Sequence, residues 1–293
     1  MERRNVANDL TVTTPAPDMP WPVVPPFRMR PGLSRLAGPD VPAAPLFVRD
    51  ALANAYAVRK RAVLGGPHGL THLGQPDPAA LAAIAQAYAA QTGVTLAPHA
   101  DALAEGMQED FVILHDEPGD GFRARFLSVC FPSNWNPAEK LGLDFMAIHA
   151  PVADNALLQA GARGIVDMAF RQASMLRHVW LLTPNGDLPQ HPETRRTRWE
   201  DAIAAADAPG ATGRLLDQVF FRVERQTTLP LPALRRGVFF IRVMVAPLAQ
   251  VLAVAPGRAA DLAEALASMS DAVVAYRGMA AVRDRLCAEL RPS

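Results

Sequence analysis

Phe111-Val-Ile-Leu-His115 and Phe122-Arg-Ala-Arg-Phe-Leu-Ser-Val-Cys130 flank Asp116-Glu-Pro-Gly-Asp-Gly121. Two runs of β-branched and aromatic residues on either side of a Pro/Gly/Asp loop predict a β-hairpin, and a sheet begins here. Downstream, Val179-Trp-Leu-Leu182 and residues 218–228 and 238–245 predict three further strands. Between the hairpin and these strands, residues 155–177 carry helical apolar spacing at Leu158, Ile165, Val166, Met168 and Met175. Upstream, residues 46–64 turn helical until Gly65-Gly66-Pro67 stops them, and Asp77-Pro78 opens a second helix over 79–92 that ends at Gly93. Residues 261–290, Ala-rich with a break near Gly278, predict one or two closing helices. The order of two strands, a helical middle and three strands, with helices before and after, gives an α+β class.

The 293 residues can bury a large core. Ten prolines in residues 1–45 and no helical period predict an extended arm or disordered leader, with Trp21 and Phe27 able to dock it on a single domain spanning 46–293. The 29 basic residues balance 29 acidic ones, so no global field would gather nucleic acid or an anionic membrane. The one dense cationic run, Arg195-Arg-Thr-Arg198, faces Glu193, Glu200 and Asp201 and reads as a solvated helix start. Cys130 and Cys287 are the two cysteines, which suits a reducing compartment and is too few for a four-thiolate iron–sulfur or zinc centre. The N-terminal residues lack the apolar stretch of a secretory signal, and residues 237–256, the most apolar stretch of their length, are interrupted by Arg242, Pro247 and Gln250. The expected location is cytoplasmic. His68 and His72 have a spacing that would suit a metal on a helix, but Gly65, Gly66, Pro67 and Gly69 argue against that helix.

Two stretches concentrate residues that are costly to bury unless paired or used. Phe131-Pro-Ser-Asn-Trp-Asn-Pro-Ala-Glu-Lys-Leu-Gly142, continuing to Ile148-His-Ala-Pro-Val152, sets Trp135, Lys140 and His149 among Pro132, Pro137 and Pro151, a backbone that turns repeatedly. A neutral imidazole is a competent axial ligand to haem iron, and Phe145, Met146 and Ile148 could wall a porphyrin; a core histidine bonded to backbone is an equal alternative. The second stretch is Val223-Glu-Arg-Gln-Thr-Thr-Leu-Pro-Leu-Pro232. Strand alternation puts Arg222, Glu224 and Gln226 on one face, either as a pocket wall or as a cross-strand ion pair. Trp135 and Trp180 read as pocket walls or as plain core, with core the safer reading.

Together these stretches resemble the family of the haem-binding alpha subunit of haem-dependent oxidative N-demethylase, with the likeness running from Arg28-Met-Arg-Pro-Gly-Leu33 to Tyr276-Arg-Gly278. The resemblance implies a PAS-like antiparallel sheet that binds haem between the sheet and the middle helices. It implies oxidation of a small amine with O2, with electrons from a separate subunit carrying flavin and an iron–sulfur centre. His149 is the position matched to the iron ligand, with Trp135, Lys140, Arg177 and Trp180 around the cofactor. Glu224 would then hold a substrate ammonium, and Arg222 would polarise bound oxygen or pair with a haem propionate. The chain departs from the family at Arg177-His178-Val179-Trp180, where an asparagine is expected at Val179. His178 becomes a second iron candidate, or an exposed residue at the end of a helix. A haem-based gas or ligand sensor without turnover, and a scaffold subunit that has lost haem, are the alternative readings.

Overall fold

The computed structural model describes residues 12–37, 43–66 and 72–291, whose strands pair antiparallel in one open seven-stranded sheet. The strands are β1 (Ser34–Arg35), β2 (His72–Gly74), β3 (Asp110–Glu117), β4 (Gly121–Ser128), β5 (Met175–Thr183), β6 (Phe220–Leu231) and β7 (Arg236–Pro247), and the order across the sheet is β1-β5-β6-β7-β3-β4-β2. Counted in chain order, the five long strands lie 2-1-5-4-3. The helices are α1 (Ala53–Leu64), α2 (Pro78–Thr92), α3 (Ala100–Gly106), α4 (Phe145–His149), α5 (Ala156–Asp167), α6 (Trp199–Ala206), α7 (Leu248–Leu252), α8 (Arg258–Ala267), α9 (Asp271–Tyr276) and α10 (Arg283–Leu290). The molecule is α+β, as the order of predicted elements requires. None of the helices described is long and apolar enough to cross a membrane.

Local chemistry sets the boundaries. Asp77 accepts from the Ala80 amide at 3.0 Å, Pro78 occupies the first turn, and Gly93 closes α2 at φ +73°. The helix expected over 46–64 begins only at Ala53. Ahead of it the amides of Leu46 and Phe47 donate to Gln91 Oε1 at 2.7 and 3.1 Å, and the Leu46 carbonyl accepts from Thr227 and Arg225, so side chains hold this backbone extended. The helix expected over 155–177 is also shorter. It passes from α5 into a π-turn at Met168–Gln172 and stops, because residues 176–183 pair with β6 and the Met175 amide donates to Thr228 Oγ1 at 2.9 Å. Met175 and Arg177 are therefore strand residues.

The two faces of the sheet are both covered. One face sets Phe111, Ile113, Phe126 and Phe240 against α2 and α3, and Trp180, Phe221 and Met244 against the N-terminal arm and α7 to α10. The arm lies on the domain there: Trp21 stacks on Phe221 with ring centroids 5.2 Å apart, Phe27 meets Trp180 edge-on at 6.1 Å, and the Phe27 amide donates to Ser268 Oγ at 2.8 Å. Residues 1–11 and 38–42 of the expected arm, and His68, fall outside the described residues; His72 sits in β2 with Nε2 2.9 Å from Asp101.

The other face carries Val112, Leu114, Ala124, Leu127 and Phe239 beneath α5 and the π-turn, and Val243 and Val245 beneath Tyr56 of α1. A one-residue bulge at Arg125 shifts the β3–β4 register between Ile113 and Leu114. Without it, Ala124 and Phe126 would share a face; with it, Phe126 joins one core and Ala124 and Leu127 both turn to the other. Lys60 and Asp110, both fully buried and 3.1 Å apart, tie α1 to the start of β3, and Asp110 also accepts from the Phe131 amide at 2.7 Å.

Candidate functional site

Between this second face and the segments that cross it lies a cavity of about 870 Å³. Val112, Leu114, Ala124, Leu127 and Phe239 form an apolar floor; Arg177, Val179, Glu224 and Gln226 of β5 and β6 form a polar flank; Trp135, Lys140, Phe145, Ile148 and His149 face them from the connection after β4. This is the volume and the mix of apolar wall with a few convergent polar groups expected of a ligand site.

His149 ends α4, a short helix that begins because Asp144 accepts from the Ala147 amide at 2.8 Å. Its Nδ1 lies 2.7 Å from the Phe145 carbonyl oxygen, which can only accept, so Nδ1 carries the proton and Nε2 keeps its lone pair. The Phe145 ring lies 4.2 Å from the imidazole, and the Asn155 amide donates to the His149 carbonyl at 2.9 Å, so ring and backbone are both held. Burial, with Arg177 and Lys140 nearby, holds the His149 pKa below the ordinary histidine value, and the ring is neutral at pH 7.

The loop bearing Trp135 is fixed from behind by Arg222. Its Nε donates to Ser133 Oγ at 2.8 Å, and its terminal nitrogens donate to the carbonyls of Asp187, Phe131 and Leu188 at 2.9, 3.2 and 2.8 Å. Burial lowers the guanidinium pKa to about 10, which leaves it charged at pH 7. Arg222 shares a strand face with Glu224 and Gln226 as expected, but the role read for it from sequence needs correction. It is fully buried, does not line the cavity, and commits four of its five donors to the frame of the Trp135 loop and its neighbour. Glu224, 8% exposed, does line the cavity and accepts from Gln226 at 2.8 Å. Val179 pairs with it across the β5–β6 ladder and sets one apolar side chain beside this carboxylate.

Trp180 and His178 point away from this cavity. Trp180 belongs to the opposite core, against Phe27 and Phe221. His178 sits mid-strand rather than at a helix end, facing a groove under the arm; burial, then Arg225, lowers its pKa to about 4. Arg177 and His149 thus share a cavity that His178 cannot enter, because strand neighbours alternate.

Sequence reading missed three contributions. Arg196 and Arg198, read as a solvated helix start, line the cavity, and Arg196 donates to the His191 carbonyl at 2.7 Å and to Asn134. Met29, Pro31 and Leu33 bring the arm over the cavity, and Tyr276 and Arg277 arrive from the end of α9. No pattern local to these segments points to the cavity, since it assembles from chain regions more than 100 residues apart. Among the described residues, five cations (Lys140, Arg177, Arg196, Arg198, Arg277) and three carboxylates (Glu139, Glu200, Glu224) line it, an excess of two positive charges. Among the described residues, no three His, Cys, Asp or Glu side chains gather to hold a metal ion.

A comparison with curated proteins finds no match. Residues 86–287, which run from α2 through the His149 and Glu224 segments into α10, match the family model described as haem-dependent oxidative N-demethylase, alpha subunit-like, and the chain belongs to that family.

Proposed function

We propose that the chain is a haem-binding, PAS-like oxidoreductase subunit in which His149 Nε2 ligates the iron. The observation that carries this reading is the 2.7 Å bond from His149 Nδ1 to the Phe145 carbonyl, which fixes the tautomer with its free lone pair in a cavity-lining ring. Three further features support it. The cavity is large enough for a porphyrin and apolar on its floor, the excess of two positive charges matches two propionates, and the 2-1-5-4-3 strand order with the cavity under the middle helices suits a PAS-like domain. Trp135, Lys140 and Arg177 would hold the cofactor from its edges, whereas Trp180 supports that wall only from the far side of β5.

Bound haem would supply oxygen binding and electron transfer. The chain's own residues would do the rest. Glu224, poised in the cavity by Gln226, would hold the ammonium of a small amine; Val179 keeps the adjoining surface dry; Arg222 keeps the Trp135 loop in place. Electrons would come from a separate flavin and iron–sulfur reductase subunit.

The test is the visible spectrum of protein expressed with haem supply, ferric, reduced, and reduced with carbon monoxide, followed by oxygen uptake with a reductase and small amines. His149→Ala is expected to lose the normal Soret band while its apoprotein unfolds at a midpoint close to that of wild-type apoprotein, and His178→Ala keeps the band. The reverse pattern would reject the assignment.

A further inference from the structure

Beside the cavity lies a groove of about 270 Å³, roofed by residues 22–32 of the arm. Met29, Arg177, Val179 and Arg277 line both spaces, so the groove and the cavity meet at these four residues. Arg28, Arg30, Arg177 and Arg277 all line the groove, and among the described residues no carboxylate does.

The two arginines at the junction have donors to spare. Arg277 reaches back from the end of α9, lies over the rings of Phe27 and Trp180 at 4.7 and 4.8 Å, and donates once, to the Trp180 carbonyl at 3.0 Å. Its Nε is buried with no partner among the described residues. The Arg177 guanidinium, largely sequestered in the same junction, donates no hydrogen bond to any described residue; Glu224 and Tyr276 act on it only through their charge. Other buried guanidiniums among the described residues make more hydrogen bonds, although the Nε of Arg242 is, like that of Arg277, buried without a partner. Arg222 makes four hydrogen bonds, and Arg242 donates to the Val48 carbonyl and to Asp50. Buried donors left without acceptors cost free energy, and a planar fork of N–H groups matches the two oxygens of a carboxylate bidentately.

We propose that Arg177 and Arg277 form a carboxylate-binding site at the junction of cavity and groove, clamped on its outer side by the arm. Two sources could supply that carboxylate: a propionate of the haem proposed above, or the free carboxylate of a small organic acid or amino acid entering by the groove. The first source rests on the haem reading; the second does not.

The experiment compares wild type, Arg177→Gln and Arg177→Lys in two titrations. In the first, haemin and haemin dimethyl ester are added to apoprotein and followed by the Soret band. In the second, acetate, benzoate and N,N-dimethylglycine are titrated by calorimetry into the apoprotein and into any haem-loaded protein obtained. A propionate source predicts that Arg177→Gln weakens haemin binding by about 10- to 100-fold and leaves the ester unaffected. A free carboxylate predicts that haemin affinity is unchanged and that the affinity of at least one of the three acids falls by a similar factor. In both cases Arg177→Lys retains part of the binding, because the charge survives and the fork does not. Should the protein take up no haemin, the acid titration of the apoprotein still decides the matter. Equal haemin affinity in all three proteins, together with no acid binding that depends on Arg177, would overturn the site.

Discussion

Arg222 shows how far a residue's role can lie from its type. A strand arginine beside a glutamate reads as an ion pair or a cavity cation, yet this one braces two loops by donating to three carbonyls and a hydroxyl. Arg222→Met, similar in length and without donors, leaves those acceptors unpaired and is expected to cost about 3 kcal/mol or more, read as a drop in the urea midpoint. If the side chain instead acted in the cavity, stability would hold and ligand binding alone would fall. His178 gives a pH prediction. Its folded pKa of about 4 lies below the ordinary 6.5, so the folded protein keeps the ring neutral while the unfolded chain takes up a proton. The stability that this contributes is full above pH 6.5 and is lost as pH falls from 6.5 toward 4. His178→Gln should therefore lose about 1 kcal/mol less than wild type between pH 7 and pH 4.5, a figure that allows for solvent screening of the partly exposed ring. Parallel pH–stability curves for the two proteins would remove this account.

At the scale of elements, the sequence is most legible where one physical signal dominates. The hairpin at 110–128 announces itself because alternation and a Pro-Gly-Asp-Gly loop agree, and α2 because an N-cap aspartate, a proline and a closing glycine bracket an alanine-rich run. His149 and Glu224 were legible as candidates because functional residue types stood among prolines or alternated on a strand. Reading failed where two signals compete. Met168 to Arg177 keeps helical apolar spacing, but ladder pairing with β6 claims its second half and leaves a π-turn at Met168–Gln172. That turn sets Phe170 into the cavity wall and against Gly237, where an added Cβ would lie 2.6 Å from the ring. Gly237→Ala is expected to push Phe170 toward the cavity, destabilise the fold by roughly 1–3 kcal/mol and weaken haemin binding, measured by thermal unfolding and Soret titration on the same preparation. Unchanged haemin affinity would show that the wall yields elsewhere. The bulge at Arg125 was illegible for a related reason: alternation in the sequence is intact, and only the pairing partner reveals the extra residue.

The whole molecule joins its two ends over one wall of the cavity. The arm packs on β5 and β6 through Trp21 and Phe27, and α8 and α9 complete that layer, while Met29, Pro31 and Arg277 reach the cavity itself. Trp21→Ala is expected to cost about 2–4 kcal/mol and to speed hydrogen exchange through residues 22–33. It should also speed loss of bound haemin to an acceptor protein; exchange confined to residues 18–24 would mean the arm holds by Phe27 alone. The arm carries a consequence for biosynthesis as well. Its Phe27 amide finds its acceptor at Ser268, 241 residues later, so this segment docks on one made long after it. At roughly 5–20 residues per second, that interval is on the order of ten seconds or more, and Trp21 and Phe27 have no surface to cover them until Phe221 and Trp180 have been made. A composition dense in proline, which forms neither helix nor ladder, keeps the waiting segment from pairing with the nascent strands made before its own dock exists.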